Sequence, residues 1–325
     1  MIPGSANALL LGQSGAGGYE IERSLRFNDD DQSNLNRTPS TATIRNTFSW
    51  SGWTKRSELG GTQRLMFVGP GSNYFSISFN NDQIQVEEAG GSNSFYVYTN
   101  AVFRDPSAWY HVVIAVDTTQ ATQTNRVKVY VNGVDQALTA GNNWPPQNAD
   151  LQINNTVDHR IGRNDADDFN GYLADVHFID GQALAPTDFG APDDNGVWQP
   201  KKFAGTYGTN GFHLDFADNS SNAALGTDTS GNSNTWTVNN LSGGALRQYV
   251  SEGTVTGSFY TSVGGGVDKM FDGSASTGAF SQTGTATFTF GGGAIVASTS
   301  IKIRAYKGDS AGQMFLSMAL MCLQG

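Results

Sequence analysis

Cysteine is almost missing from this sequence. Cys322 is the only one, so no disulfide can form within the chain, and a disulfide-stapled secreted domain is excluded. Charge is scarce as well, at 15% Asp, Glu, Lys and Arg. Basic residues are the scarcer kind: 19 Lys and Arg stand against 29 Asp and Glu, for a net charge of −10, and the densest basic cluster is the pair Lys201-Lys202. A nucleic-acid partner needs a basic stripe, so none is expected. The acidity also disfavours anionic membrane surfaces. No apolar run reaches transmembrane length, so no membrane insertion is expected. The first residues lack a basic region, and Leu9-Leu10-Leu11 is too short for the apolar core of a signal peptide. Helical periodicity is weak throughout. Its best candidate is a single turn near Ala185-Pro186-Thr187-Asp188-Phe189, with Pro in the first turn.

What the sequence does contain is the material of many short strands. Gly is abundant at 40 residues, and 19 Phe, 11 Tyr and 6 Trp can build a large core. Alternation appears at short intervals from Ser24 onward. Phe48, Trp50 and Gly52 alternate with Ser49, Ser51 and Trp53. Phe75, Ile77 and Phe79 alternate with Ser76, Ser78 and Asn80. Tyr110, Val112, Ile114 and Val116 form one face of a strand whose other face carries His111, Val113 and Ala115. Val127, Val129 and Val131 lead into Asn132-Gly133, a pair that signals a tight hairpin because both central residues of a type I′ turn need positive φ. The expected fold is all-β, with antiparallel sheets packed face to face and Phe48, Trp50, Val112, Ile114, Val129 and Val131 on the inner faces.

Three regions follow from composition. Residues 1–22 read as an extended N-terminal arm, rich in Gly and nearly uncharged until Glu20. It is either a floppy terminus or a segment that orders against a partner chain. Residues 23–245 read as the main β domain. Within them, Phe212 to Phe216 and the stretch closing on Trp236 and Val238 are expected to form a strand pair at the sandwich edge. Residues 246–325 read as a smaller β unit ending in an apolar run from Met314 to Leu323. That run suits a buried terminal strand or a subunit contact.

The segments Ser24-Leu25-Arg26-Phe27-Asn28 and Thr47-Phe48-Ser49-Trp50-Ser51-Gly52-Trp53 resemble the opening strands of laminin G-like, concanavalin A-like domains. Trp109-Tyr110-His111-Val112-Val113, followed by Val127 to Val131 and Asn132-Gly133-Val134, resembles their central hairpin. Ile161-Gly162-Arg163, Phe169-Asn170-Gly171-Tyr172-Leu173-Ala174-Asp175-Val176 and Gln182-Ala183-Leu184 resemble their closing strand and helical turn. The resemblance covers about residues 24–190. It implies a jelly-roll β-sandwich (concanavalin A-like), which the smaller β unit read at residues 246–325 follows. The arrangement is also similar to phage-encoded proteins that carry such domains in tail fibres or on capsids. That similarity implies a virion location, with assembly in the host cytoplasm and exposure on the particle surface.

Some proteins of this fold are glucanases, which need two carboxylates flanking one glycosidic bond. Glu87 and Glu88 are adjacent, so on a strand they point to opposite faces, and they read as a solvated strand end. None of His111, His159, His177 and His213 has a Cys, His or Asp at the spacing of a zinc site. No catalytic set is expected. The best ligand candidates are Asp165, Asp167, Asp168 and Asn170, whose hard oxygens suit calcium; the three aspartates would be its ligands. The resemblance implies that such an ion would anchor a sugar. The same loop also reads as a solvated acidic turn that needs no cofactor. Asp29-Asp30-Asp31 is a second acidic cluster with a weaker case. Trp50, Trp53 and Trp109 read as core residues. Trp144, beside Pro145-Pro146, reads as an exposed aromatic for ligand contact.

Three functions compete at this stage. One is a virion surface protein that binds host-surface glycan or a neighbouring virion protein. The second is a purely structural decoration subunit, and the third is a polysaccharide-degrading enzyme with an unrecognised site. Residues 1–22 would contact other virion proteins, the apolar C-terminal run would form a subunit contact, and the virion resemblance implies that the assembly is a homotrimer.

Overall fold

The computed structural model describes residues 18–164 and 166–241, with four short strands further on. The chain divides into two compact units, Met1–Ala245 and Leu246–Gly325. In the first, two antiparallel sheets pack face to face as a jelly-roll β-sandwich. The seven-stranded sheet runs β1 (Leu25–Phe27), β13 (Gly171–Asp180), β3 (Thr47–Arg56), β8 (Tyr110–Asp117), β9 (Val127–Val131) and β10 (Val134–Asp135), and β16 (Phe212–Leu214) also pairs with β13. The eight-stranded sheet runs β11 (Leu138–Ala140), β7 (Phe95–Thr99), β6 (Gln83–Ala89), β5 (Tyr74–Asn80), β4 (Thr62–Val68), β12 (His159–Ile161), β2 (Asn34–Arg37) and β17 (Thr237–Asn239). A separate hairpin joins β14 (Gly190–Pro192) to β15 (Trp198–Pro200). In the second unit, β18 (Thr254–Thr256) pairs with β21 (Thr287–Thr289), and β19 (Phe259–Tyr260) with β20 (Phe280–Ser281).

The expected inner residues are where alternation puts them. Phe48, Trp50, Val112, Ile114, Val129 and Val131 are all buried in one core cluster with Phe75, Ile77 and Phe79 of the facing sheet. Phe48 meets Phe75 edge-on across the interface, with ring centroids 5.4 Å apart. Burying each such ring is worth roughly 1.5–3 kcal/mol, which is why two half-apolar sheets close on each other. The Asn132-Gly133 turn has φ of 49° and 80°, and pairs Val131 with Val134. The expected helical turn is a single 3-10 turn, Pro186–Asp188. No α-helix occurs among the described residues, and no helix there is long and apolar enough to cross a membrane.

Two expectations need correction. The strands at 212–216 and 236–238 do not pair with each other. β16 extends the edge of β13 beyond the end of β1, and β17 closes the other sheet against β2. Of the three tryptophans read as core, only Trp50 is fully buried. Trp53 lies on the outer face, stacked 4.9 Å from His111, and Trp109 meets Tyr172 edge-on at 6.4 Å. Most of the arm, and the run from Met314 to Leu323, lie outside the described residues.

The two outer faces of the sandwich differ. Residues 184–207 pack over the seven-stranded sheet, where Phe189, Leu184, Phe203 and Tyr207 cover Val113 and Ile179. The eight-stranded sheet keeps a polar and aromatic outer face, and the candidate site lies there.

Candidate functional site

Strand alternation builds this face. In β7, Phe95, Val97 and Thr99 point into the core, so Tyr96 and Tyr98 point out, half-exposed, with their rings 6.3 Å apart and inclined by 22°. Pairing sets Glu87 beside Tyr96 and Gln85 beside Tyr98. The next strand sets Ser76 and Ser78 beside that pair. Arg64 of β4 reaches across. Its Nη1 donates to Ser76 Oγ at 2.6 Å and to Glu87 Oε2 at 3.4 Å, and its guanidinium lies 5.4 Å from the Tyr74 ring. Gln85 Nε2 donates to the same Glu87 oxygen at 3.2 Å, and Asn80 Nδ2 donates to Gln85 Oε1 at 3.0 Å. Burial, then the Glu87 charge, raises the Tyr74 phenol above its ordinary pKa, so it stays a neutral hydroxyl.

Arg64 also joins this face to a cleft at the rim of the sandwich. Its Nε and Nη2 donate to Asp167 Oδ2 at 3.3 and 3.2 Å. The cleft, of about 300 Å³, gathers Asp29 and Asp30 from the loop after β1, Glu58 from the loop after β3, and Asp167 and Asp168 from the loop before β13. Asn170 ties the three loops together. Its Nδ2 donates to Asp29 Oδ1 at 2.6 Å and to Glu58 Oε2 at 3.4 Å, and Arg26 Nη2 donates to its Oδ1 at 2.6 Å. The loop after β3 is anchored from below, because Gly60 N–H donates to Asp82 Oδ1 at 2.6 Å. Burial would raise the Asp82 pKa, but that bond and those from Arg104 and Arg56 outweigh it and hold the carboxyl at about 2.

The fold thus brings Asp167, Asp168 and Asn170 together and adds Asp29 and Asp30 to them. Asp165 lies outside the described residues. Asp167 is paired with Arg64, and Asp168 lies 3.6 Å from Arg163. Trp144 stands apart. It is half-buried against the core and lines a separate hollow with Lys128, Asp135 and Leu138. The glutamate pair does take opposite faces, but not as a solvated strand end. Glu87 lies on the outer face of a central strand, while Glu88 is buried at 3% exposure and accepts from Gln152 N–H at 3.1 Å. Sequence reasoning missed Tyr74, Tyr96, Tyr98 and Arg64. The signal was available in Phe95-Tyr96-Val97-Tyr98-Thr99, where the phase of the apolar set throws both tyrosines outward.

Comparison with known proteins agrees with the fold. Residues 27–188 match the laminin G-type family model described as the concanavalin A-like lectin/glucanases superfamily. That segment has the laminin G-like, concanavalin A-like sandwich fold. Among solved structures, the chain is similar to a heptameric SAP-like pentraxin from Limulus polyphemus, at 16% identity and TM-score 0.39 over 51% of this chain and 80% of that one. It is also similar to domains LG4-5 of the mouse laminin alpha1 chain, at 13% identity and TM-score 0.37 over 58% of this chain and 47% of that one. A third is the CBM40 of a Ruminococcus gnavus sialidase bound to alpha2,3 sialyllactose, at 17% identity and TM-score 0.32 over 40% of this chain and 73% of that one. No curated protein sequence matches the chain.

Proposed function

We propose that this is a non-enzymatic glycan-binding protein of a virion surface, with its ligand lying across the outer face of the eight-stranded sheet toward the rim cleft. The observation that carries the reading is the pairing of two adjacent outward tyrosine rings with a fixed polar lattice. The Tyr96 and Tyr98 rings offer apolar faces to the C–H side of a sugar, and the half-buried Glu87, held in place by the buried Arg64 and Gln85, offers a hydroxyl partner without further ordering. Glu87 and Glu88 cannot flank one glycosidic bond from opposite faces of β6, which supports binding without hydrolysis. The rim carboxylates are hard-oxygen donors of the kind calcium takes. Since Asp167 and Asp168 face arginines, Asp29, Asp30 and Glu58 would hold such an ion.

A glycan array with the full chain, followed by calorimetric titration of the best binder, tests the reading. Tyr96→Ala and Tyr98→Ala should each weaken binding about 5- to 10-fold, on the order of 1 kcal/mol for a lost ring contact. Binding that ignores both substitutions would place the ligand elsewhere. In the virion reading, residues 1–22 and the apolar run at 314–323 are the assembly segments, and the homotrimer follows from the resemblance to fibre proteins. Deleting residues 2–18 should abolish copurification with particles, and deleting 312–325 should give monomers in light scattering.

A further inference from the structure

A second cluster lies on the opposite sheet, where sequence spacing gave no zinc-type site. Strand pairing makes one. His177 of β13 and His213 of β16 are direct cross-strand partners. Their rings stack in parallel, with centroids 4.1 Å apart and planes within 8°. Asp175, two residues before His177, sits where the pairing of β13 slips its register, with φ of +50°. That backbone turns its carboxylate onto both rings. Oδ1 lies 2.7 Å from His213 Nε2, and Oδ2 lies 3.2 Å from His177 Nε2. One donor atom from each of the three residues lies within 4.8 Å of the others.

The far nitrogens are held as metal-bound imidazoles usually are. His177 Nδ1 is 2.9 Å from Tyr207 Oη, and His213 Nδ1 is 2.9 Å from Thr229 Oγ1. Tyr19 Oη donates to Asp175 Oδ1 at 2.7 Å. Protons alone do not complete this set. A proton on His213 Nε2 serves Oδ1. His177 Nε2, in a residue only 1% exposed, lies 3.2 Å from Asp175 Oδ2 without good hydrogen-bond geometry. A buried ring nitrogen left this way is unfavourable, and a cation between the two Nε2 lone pairs and the carboxylate would satisfy all three.

We propose that Asp175, His177 and His213 bind one divalent transition-metal ion of the zinc class. Two imidazoles and a carboxylate are a donor set that Zn²⁺ accepts, and that Co²⁺ accepts as a spectroscopic substitute. The role is structural. His213 lies beyond residue 188, where the laminin G-like segment ends, so the ion fastens the added strand β16 onto the edge of that segment. Tyr19 closes the site from the N-terminal side.

The test is titration of the full chain, stripped with chelator, with Co²⁺ and then Zn²⁺. One Co²⁺ per chain should give visible ligand-field absorption that Zn²⁺ abolishes, and saturating Zn²⁺ should raise the thermal midpoint read by tryptophan fluorescence. His213→Asn should weaken binding by at least about 100-fold, and Thr229→Val, which touches only the far nitrogen, by about 10-fold. Thr229→Val keeps the test open if loss of His213 prevents folding. Asp167→Asn at the rim should change neither readout. The proposal is overturned if the wild-type chain gives no absorption and no shift in midpoint, or if Thr229→Val and His213→Asn bind Co²⁺ as the wild type does.

Discussion

Glu88 gives the most direct test of the packing described above. Alternation in β6 forces this carboxyl into the core beside Phe75 and Phe95, where it is 3% exposed. Burial pushes its pKa from 4.5 up to about 8, although the Gln152 N–H bond and the Arg45 charge favour the ionised form. The folded state therefore keeps a proton that the unfolded state releases, so its contribution to stability is complete below pH 4.5 and is lost as the pH rises through 8. At 1.36 kcal/mol per pH unit the full effect is at most about 5 kcal/mol, of which about 2 kcal/mol falls between pH 6.5 and 8. His111 and His159 act in the opposite sense at lower pH. Burial depresses them to about 3 and about 4, so they lower stability as the pH falls below the ordinary histidine value. Unfolded histidines are still half-protonated at pH 6.5, so the glutamate is isolated as the difference between the wild type and a variant that lacks it. Glu88→Gln keeps the shape and removes the ionisation. Urea unfolding at steps from pH 6.5 to 8, followed by tryptophan fluorescence, measures it cleanly, because Trp50, Trp53, Trp109, Trp144, Trp198 and Trp236 all lie in the first unit. Relative to the variant, the wild type should lose about 2 kcal/mol over that range. Parallel curves would refute the assignment of a buried, protonated Glu88.

Arg56 lies fully buried under Phe79, with its guanidinium 4.6 Å from that ring and its Nη1 2.9 Å from Asp82 Oδ1. Arg56→Met should cost about 3–5 kcal/mol in urea unfolding, because Asp82 would keep only the exposed Arg104 as ion partner. At Gly133, φ is +80° and an added Cβ would meet the Trp198 ring at 2.4 Å. Gly133→Ala should therefore destabilise by more than about 1 kcal/mol and shift Trp198 emission as its indole leaves His111 Nδ1, which differential scanning and fluorescence would show.

The sandwich core was legible because period-two alternation is a direct image of one buried face. Phe48, Trp50, Val112 and Ile114 could be placed inward from spacing alone, and Asn132-Gly133 declared its turn. The rim cleft was half legible. The acidic loop announced itself by composition, but only folding shows that Asp29 and Asp30, over a hundred residues earlier in the chain, share its cleft and that Arg64 faces Asp167. The His177–His213 pair was not legible, because its spacing is set by which strand occupies the edge of β13 and not by the sequence interval. Asp175 adds to this, since a register slip and a positive φ are invisible to a pattern of alternating residues.

One signal read from the sequence bears on where a ligand can lie. In β8, Val112-Val113-Ile114-Ala115-Val116 is apolar on both faces, as in a strand covered on both sides. The structure supplies the second layer, with residues 184–207 seating Phe189, Phe203 and Tyr207 over Val113 and Ile179. β7 shows the opposite pattern, with buried and half-exposed positions in strict alternation. In β5 the outward residues are Ser76 and Ser78, both fully buried, and Arg64 Nη1 donates to Ser76 Oγ. The added segment therefore fixes the polarity of the domain. By covering the seven-stranded sheet it leaves Tyr96, Tyr98 and Glu87 of the eight-stranded sheet as half-exposed outward groups, with Arg64 and Gln85 buried between them, and the proposed ligand face is that side.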